Sequence, residues 1–241
     1  MAELLRLERL TKSFGALRAV DDFTLTLEEG EALGVIGPNG AGKTTMFNLI
    51  TGDLRPESGR VLFAGRDISA LPPERRCRAG IGRTYQIPHP FGGMTVFENA
   101  LVGATFGAES GESESRDECV AILELTGLAQ HANRLAGTLP LLDRKRLELA
   151  RALATRPKIL LLDEIAGGLT EREVHALIET IRGIRARGTS IVWIEHIVHA
   201  LTAVVDRLAV MAFGRLLQEG EPRAVMASSI VQETYMGIAV E

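Results

Sequence analysis

A glycine-rich octapeptide, Gly37-Pro38-Asn39-Gly40-Ala41-Gly42-Lys43-Thr44, lies between an apolar run, Ala32 to Ile36, and a helical run that reaches about Thr51. It matches the phosphate-binding pattern G-x-x-x-x-G-K-[ST] without mismatch, and a strand before it with a helix after it is the context that pattern requires. The glycines let the backbone curl so that successive N–H groups point inward at phosphate oxygens. A helix starting near Lys43 adds its positive dipole end to the same anion site. The Lys43 ammonium is placed for the β and γ phosphates, and the Thr44 hydroxyl suits Mg²⁺. With Thr45 the segment Gly37 to Thr45 forms the expected binding loop for a nucleoside triphosphate.

Such a loop demands a parallel, helix-covered sheet, and the rest of the chain reads that way. Phe23, Leu25 and Leu27 alternate with threonines, the period of a half-buried strand, and Glu29-Gly30 is a turn. Arg60 to Phe63 and Ile81 to Gln86 are further strands, separated by a polar, proline-containing stretch. From about Met94 to Arg156 the patterns are helical, interrupted by a Gly/Ser/Glu loop from Glu109 to Asp117. Lys145 to Thr155 is a helix with Leu147, Leu149, Ala150 and Leu153 near one face. Strand and helix then alternate again. Ile159 to Leu162 and Ile191 to Ile194 are buried strands, Glu171 to Arg187 is a helix, and Arg207 to Leu217 is a hairpin turning near Gly214.

Ile159 to Leu162 ends in Asp163-Glu164. Ligands of open α/β sheets sit at the carboxyl ends of strands. Asp163 is therefore expected to hold Mg²⁺ through water, and Glu164 to act as the general base on an attacking water.

Composition narrows the class. The chain has 241 residues, 46% of them hydrophobic and 24% charged, with a formal net charge of -4. That supports a sizeable core and argues against a large nucleic-acid footprint, which needs a basic face. Cys77 and Cys119 lie far apart with no pairing pattern and fit a reducing compartment. The N-terminus lacks the apolar core of a signal peptide, and no apolar run approaches the roughly 20 residues that span a bilayer. Any membrane role is expected to come through a partner.

In the order of its motifs the chain resembles the ATPases of ABC transporters over nearly its whole length. The resemblance implies an α/β P-loop NTPase fold: a mostly parallel core sheet, an N-terminal antiparallel β subdomain and an inserted α-helical subdomain. It implies one domain over 1–241, with 1–86 and 157–241 as the nucleotide-binding core and about 87–156 as the helical subdomain. Gln86 resembles the glutamine that contacts Mg²⁺ and the attacking water, and His196 the histidine that contacts the γ-phosphate. Phe14 resembles the aromatic that stacks on adenine. The implied cofactors are ATP and Mg²⁺. The implied partners are transmembrane permease subunits and a second ATPase subunit, which places the chain in the cytoplasm at the inner face of the cell membrane. Phe47-Asn48-Leu49-Ile50-Thr51-Gly52, Arg83-Thr84-Tyr85-Gln86, Met94 to Asn99 and Tyr235-Met236-Gly237 resemble the branch that imports branched-chain amino acids, which also includes urea and amide importers.

The chain departs from the family in three places. Ile165 replaces a proline after Glu164, and Gly167-Gly168-Leu169-Thr170 ends in Thr instead of Asp or Asn. Where the family carries Leu-Ser-Gly-Gly-Gln, this chain has Leu139-Pro140-Leu141-Leu142-Asp143, followed by a helix that agrees with the family. Pro140 has neither a hydroxyl nor an N–H, Leu141 and Leu142 add bulk, and Asp143 is expected to bring negative charge near phosphates. Two arrangements remain open: a heterodimer whose partner supplies a normal signature, which the branch favours, and a homodimer with a weaker tip. The rival activities are a soluble ABC ATPase uncoupled from transport, a non-hydrolysing regulatory module and a small-molecule kinase.

Overall fold

The computed structural model of the chain describes residues 2–108 and 112–236, which group into two units, 1–76 with 190–241 and 77–189. The first unit opens with two twelve-residue strands, β1 (Glu3–Phe14) and β2 (Leu17–Glu28), paired antiparallel. Their period of two buries Leu5, Leu7, Phe23, Leu25 and Leu27 on one face. After β3 (Ala32–Ile36) and α1 (Lys43–Thr51), β4 (Ser58–Phe63) joins β1 antiparallel, and β5 (Arg66–Asp67) joins β4. The polar, proline-containing stretch does more than connect. It forms β5 and a helix, α2 (Pro73–Ala79), opened by a proline that is tolerated in a first turn. From α2 the fully buried Arg76 donates to the carbonyls of Leu49 and Ile50, orphans of the last turn of α1.

The second unit begins with β6 (Ile81–Arg83) and continues through α3 (Val96–Val102), α4 (Glu112–Leu125) and α5 (Leu141–Ala154) to β7 (Ile159–Asp163) and α6 (Glu171–Ala186). β6 and β7 are parallel, with Ile81 opposite Ile159 and Arg83 opposite Leu161. The strand expected to reach Gln86 stops at Arg83; Thr84 still donates its N–H to Leu161, and the chain then leaves the sheet. The expected loop from Glu109 to Asp117 is also corrected. Residues 109–111 lie outside the described residues, and from Glu112 onward the stretch is helical. Val96, Cys119, Leu123, Leu128 and Leu147 form the apolar core of this helical region, so Cys119 is a core residue.

The chain returns to the first unit with β8 (Ser190–Ile194), α7 (Val198–Thr202), β9 (Arg207–Ala212) and β10 (Arg215–Gly220). β3 lies between β8 and β9 and is parallel to both, and β10 closes that edge antiparallel to β9 through the turn at Phe213 and Gly214. β3 and β8 are buried at every position, which is why they read as unbroken apolar runs. The tail pattern Tyr235-Met236-Gly237 lies partly outside the described residues, which end at 236. No helix of the described residues is long and apolar enough to cross a membrane, and Cys77 and Cys119 are both free.

Asp21 on β2 bridges Arg215 of β10 and Arg18. The hydrogen bond from Arg215 is the largest cause holding the Asp21 carboxyl below its ordinary value of 3.8. A depressed folded pKa contributes stability above that value and loses it as pH falls through the folded pKa. Asp21→Asn is therefore expected to lower the melting temperature at pH 7, and the gap to the wild type to close below about pH 3.8, in melts recorded from pH 7 to pH 3.

Candidate functional site

In the first unit the octapeptide turns directly out of β3. The Ala41 N–H donates to the Pro38 carbonyl at 3.1 Å, and the Met46 N–H donates to Gly42 at 2.9 Å, which starts α1. A Cβ on Gly37 would collide with the Met211 carbonyl oxygen, and one on Gly42 with the Ala19 carbonyl oxygen. Gly42 also has φ 102, in the left-handed region. The turn after β9 fastens the loop: Gly214 donates to Ala41 at 3.0 Å and accepts from Asp21 at 2.9 Å. No side chain caps α1 at Gly42, so its first-turn N–H groups face the loop, the arrangement that suits an anion.

Lys43 is 6% exposed and folds back into the loop, donating from Nζ to Gly37 at 2.7 Å and Pro38 at 3.1 Å. Pro38 is half-buried, Asn39, Gly40 and Thr44 are exposed, and Thr45 is half-buried. Phe14 ends β1 with 49% of its surface exposed, so it is not a core residue; the Lys12 ammonium lies 5.7 Å from its ring centroid. His196 follows β8 and is exposed, and its N–H donates at 3.0 Å to the carboxylate of Glu195, which is buried.

The second unit places the two acids at the end of β7, where the buried apolar run stops. Asp163 is buried and ion-paired with Arg83 at 2.9 Å, both side chains being nearly inaccessible. Glu164 has φ 46, an uncommon conformation for a residue with a Cβ. Its carboxylate accepts from Gln86 Nε2 at 2.6 Å, so Gln86 and Glu164 meet although 78 residues separate them. Sequence reasoning did not single out Arg83, Lys145 or Glu195. Lys145, nearly buried in α5, points its ammonium at the Glu164 carbonyl at 3.5 Å. Arg83 carried no sequence signal of its own: the strand was expected to run on to Gln86, and the pairing of β6 with β7 places Arg83 opposite Leu161, two residues before Asp163.

The altered tip makes contacts of its own within the second unit. Pro140 is the N-cap of α5 and offers no side-chain cap. Asp143 does not stand out as an unbalanced charge: its carboxylate turns to Arg146 at 3.4 Å and His131 at 3.7 Å. Leu141 is 45% exposed and would touch a Cβ on Gly168 at 3.4 Å. Thr170 replaces the usual acid or amide without loss of a cap, because it forms a full capping box with Glu173 at the start of α6. Among the described residues no cluster of three or more His, Cys, Asp or Glu is placed to hold a metal.

A family model described as ABC transporter matches residues 20–167. The chain is similar to the high-affinity branched-chain amino acid transport ATP-binding protein LivG of Salmonella typhimurium and of Escherichia coli, with 38% identity over 98% of each chain. It is also similar to the solved ADP conformation of an ATP-binding cassette of an ABC transporter. There the identity is 33% and the TM-score 0.90, covering 99% of this chain and 100% of that one.

The crowding at Gly42 sets a test. Gly42→Ala forces a Cβ against the Ala19 carbonyl at a left-handed φ, and is expected to cost roughly 2 kcal/mol or more in chemical denaturation. An unchanged denaturation midpoint would contradict the packing described for the loop.

Proposed function

This chain belongs to the ABC transporter family, and on that premise we propose that it is the ATP-binding and ATP-hydrolysing subunit that energises solute import through separate transmembrane permease subunits. The observation that carries the reading is the phosphate loop, closed on Lys43 and too crowded at Gly37 and Gly42 for any side chain. The resemblance of Phe47 to Gly52 to the branched-chain amino-acid importers, together with the relatives' names, supports a branched-chain amino acid or a related small polar solute.

In this proposal the amides of Gly37 to Thr45, with Lys43, bind the phosphates of ATP, and Phe14 stacks on adenine. Bound Mg²⁺ would neutralise phosphate charge, with Thr44, Asp163 and Gln86 as its protein-side neighbours. Glu164 is the general base: it accepts the proton of the attacking water, and the hydrogen bond from Gln86 orients its carboxylate. His196 senses the γ-phosphate, with its backbone set by the Glu195 carboxylate. We also propose the division of the ATPase domain into a nucleotide-binding core, 1–86 with 157–241, and a helical subdomain at about 87–156. The apolar core around Leu123 and Leu147 supports the latter.

The tip favours a heterodimer over a homodimer. In the family that tip closes over ATP held by the opposite subunit. Here it offers a proline without an N–H, an exposed Leu141 and a carboxylate already paired. A second ATPase subunit with an ordinary signature would complete this chain's own phosphate loop, and the pair would sit at the inner face of the cell membrane through its permeases.

Glu164→Gln keeps size and hydrogen bonding while removing the base. It is expected to leave ATP binding unchanged and to lower turnover by about 10² or more, measured in the complex with the partner subunits. An undiminished rate would remove Glu164 from its role.

A further inference from the structure

The segment from Thr84 to Met94 carries Gln86 but has no regular structure, and Tyr85, Gln86, Ile87, His89 and Phe91 are exposed. A side chain on so open a segment needs external restraint to hold a 2.6 Å bond to Glu164. Thr84 is fixed to Leu161 at one end. At the other end buried Asn99 of α3 grips Phe91, accepting from its N–H at 2.9 Å and donating to its carbonyl at 3.1 Å. Between these anchors, α5 reaches the segment at His89.

Arg151 donates from Nη1 to the His89 carbonyl at 2.8 Å, and the Glu148 carboxylate faces the His89 backbone. Glu148 and Arg151 are themselves paired at 3.1 Å, one helical turn apart. The Arg151 guanidinium also lies 4.9 Å from the centroid of the Phe91 ring. Glu148 is 6% exposed, and burial pushes its carboxyl above the ordinary range, only partly countered by Arg151 and His89. Ordinary helix packing does not call for a buried carboxylate there, since Leu or Met would fill the space at lower desolvation cost.

We infer that Glu148 and Arg151 are positioning residues that clamp His89 and thereby hold Gln86 against Glu164. The inference rests on the proposed role of Gln86 in hydrolysis. Both clamp residues lie on the helix that starts at the altered tip. Glu148 stands seven residues, about 10 Å, along the helix axis from Leu141. Displacement of α5 as a rigid body moves the His89 peptide with it, so an event at the tip reaches the segment bearing Gln86 through two side chains.

The test compares Glu148→Gln and Arg151→Lys with the wild type, by amide hydrogen exchange on the chain and by turnover of the complex with its partner subunits. Both substitutions keep the volume of α5, and Arg151→Lys keeps the charge while losing the planar fork. Exchange of the Phe91 amide, which is bonded to Asn99, is expected to quicken by roughly tenfold, with α5 itself unchanged. Turnover should fall by about five- to tenfold at an unchanged KM for ATP, because the phosphate loop is untouched. Unchanged exchange at Phe91 would overturn the clamp, and faster exchange with wild-type turnover would overturn its positioning role. Gln86→Ala serves as the control: if it turns over like the wild type, the role of Gln86 fails, and exchange alone then decides whether the clamp exists.

Discussion

Two carbonyl oxygens, those of Met211 and Ala19, press so closely on the backbone at Gly37 and Gly42 that only hydrogen can occupy the Cβ positions there. The constraint reaches well beyond the loop. Met211 is on β9 and Ala19 on β2, so the same crowding fixes where both strands run past the N-terminus of α1. Gly214, in the turn between β9 and β10, adds hydrogen bonds to Ala41 and Asp21. Lys43 then lies over the Gly37 and Pro38 carbonyls, an arrangement that costs little to release when a phosphate offers stronger partners.

The second unit solves a different problem, the orientation of carboxylates at the end of a buried strand. Asp163 and Glu164 are neighbours in sequence but have different partners. Asp163 is buried against Arg83, whereas Glu164 bends through a left-handed conformation to meet Gln86. An unpaired buried carboxylate would be costly, so Arg83 is as much a part of this strand end as the acid it neutralises. The strained φ at Glu164 suits the role of general base proposed for it.

Much of this was legible in the sequence. The octapeptide, the fully buried β3, β7 and β8, and the helix at Glu171 announced themselves through pattern and period, since burial on both faces or on one face leaves different traces. What escaped depends on contacts remote in sequence or on weak local signals. The helical stretch from Glu112 begins in Glu and Ser residues that read as loop, and its stability comes from Cys119, Ile122 and Leu123 packed in the helical core. The end of β6 was set by where pairing with β7 stops, which propensity does not encode. Asp143 illustrates a limit of another kind. Its place in the tip suggested a charge facing phosphate, but Arg146 and His131 turn it inward, and no residue adjacent to it announced His131.

In the proposed heterodimer the tip, not the phosphate loop, creates the need for a different partner. The direct measurement is Mg-ATP turnover of the isolated chain against its own concentration. It compares the wild type with a variant carrying Pro140→Ser, Leu141→Gly, Leu142→Gly and Asp143→Gln, with nucleotide binding followed in both. The account predicts that both bind ATP, that the wild type turns over little at any concentration, and that turnover per subunit in the variant rises with concentration. Wild-type turnover that rises with concentration as steeply as the variant's would contradict it.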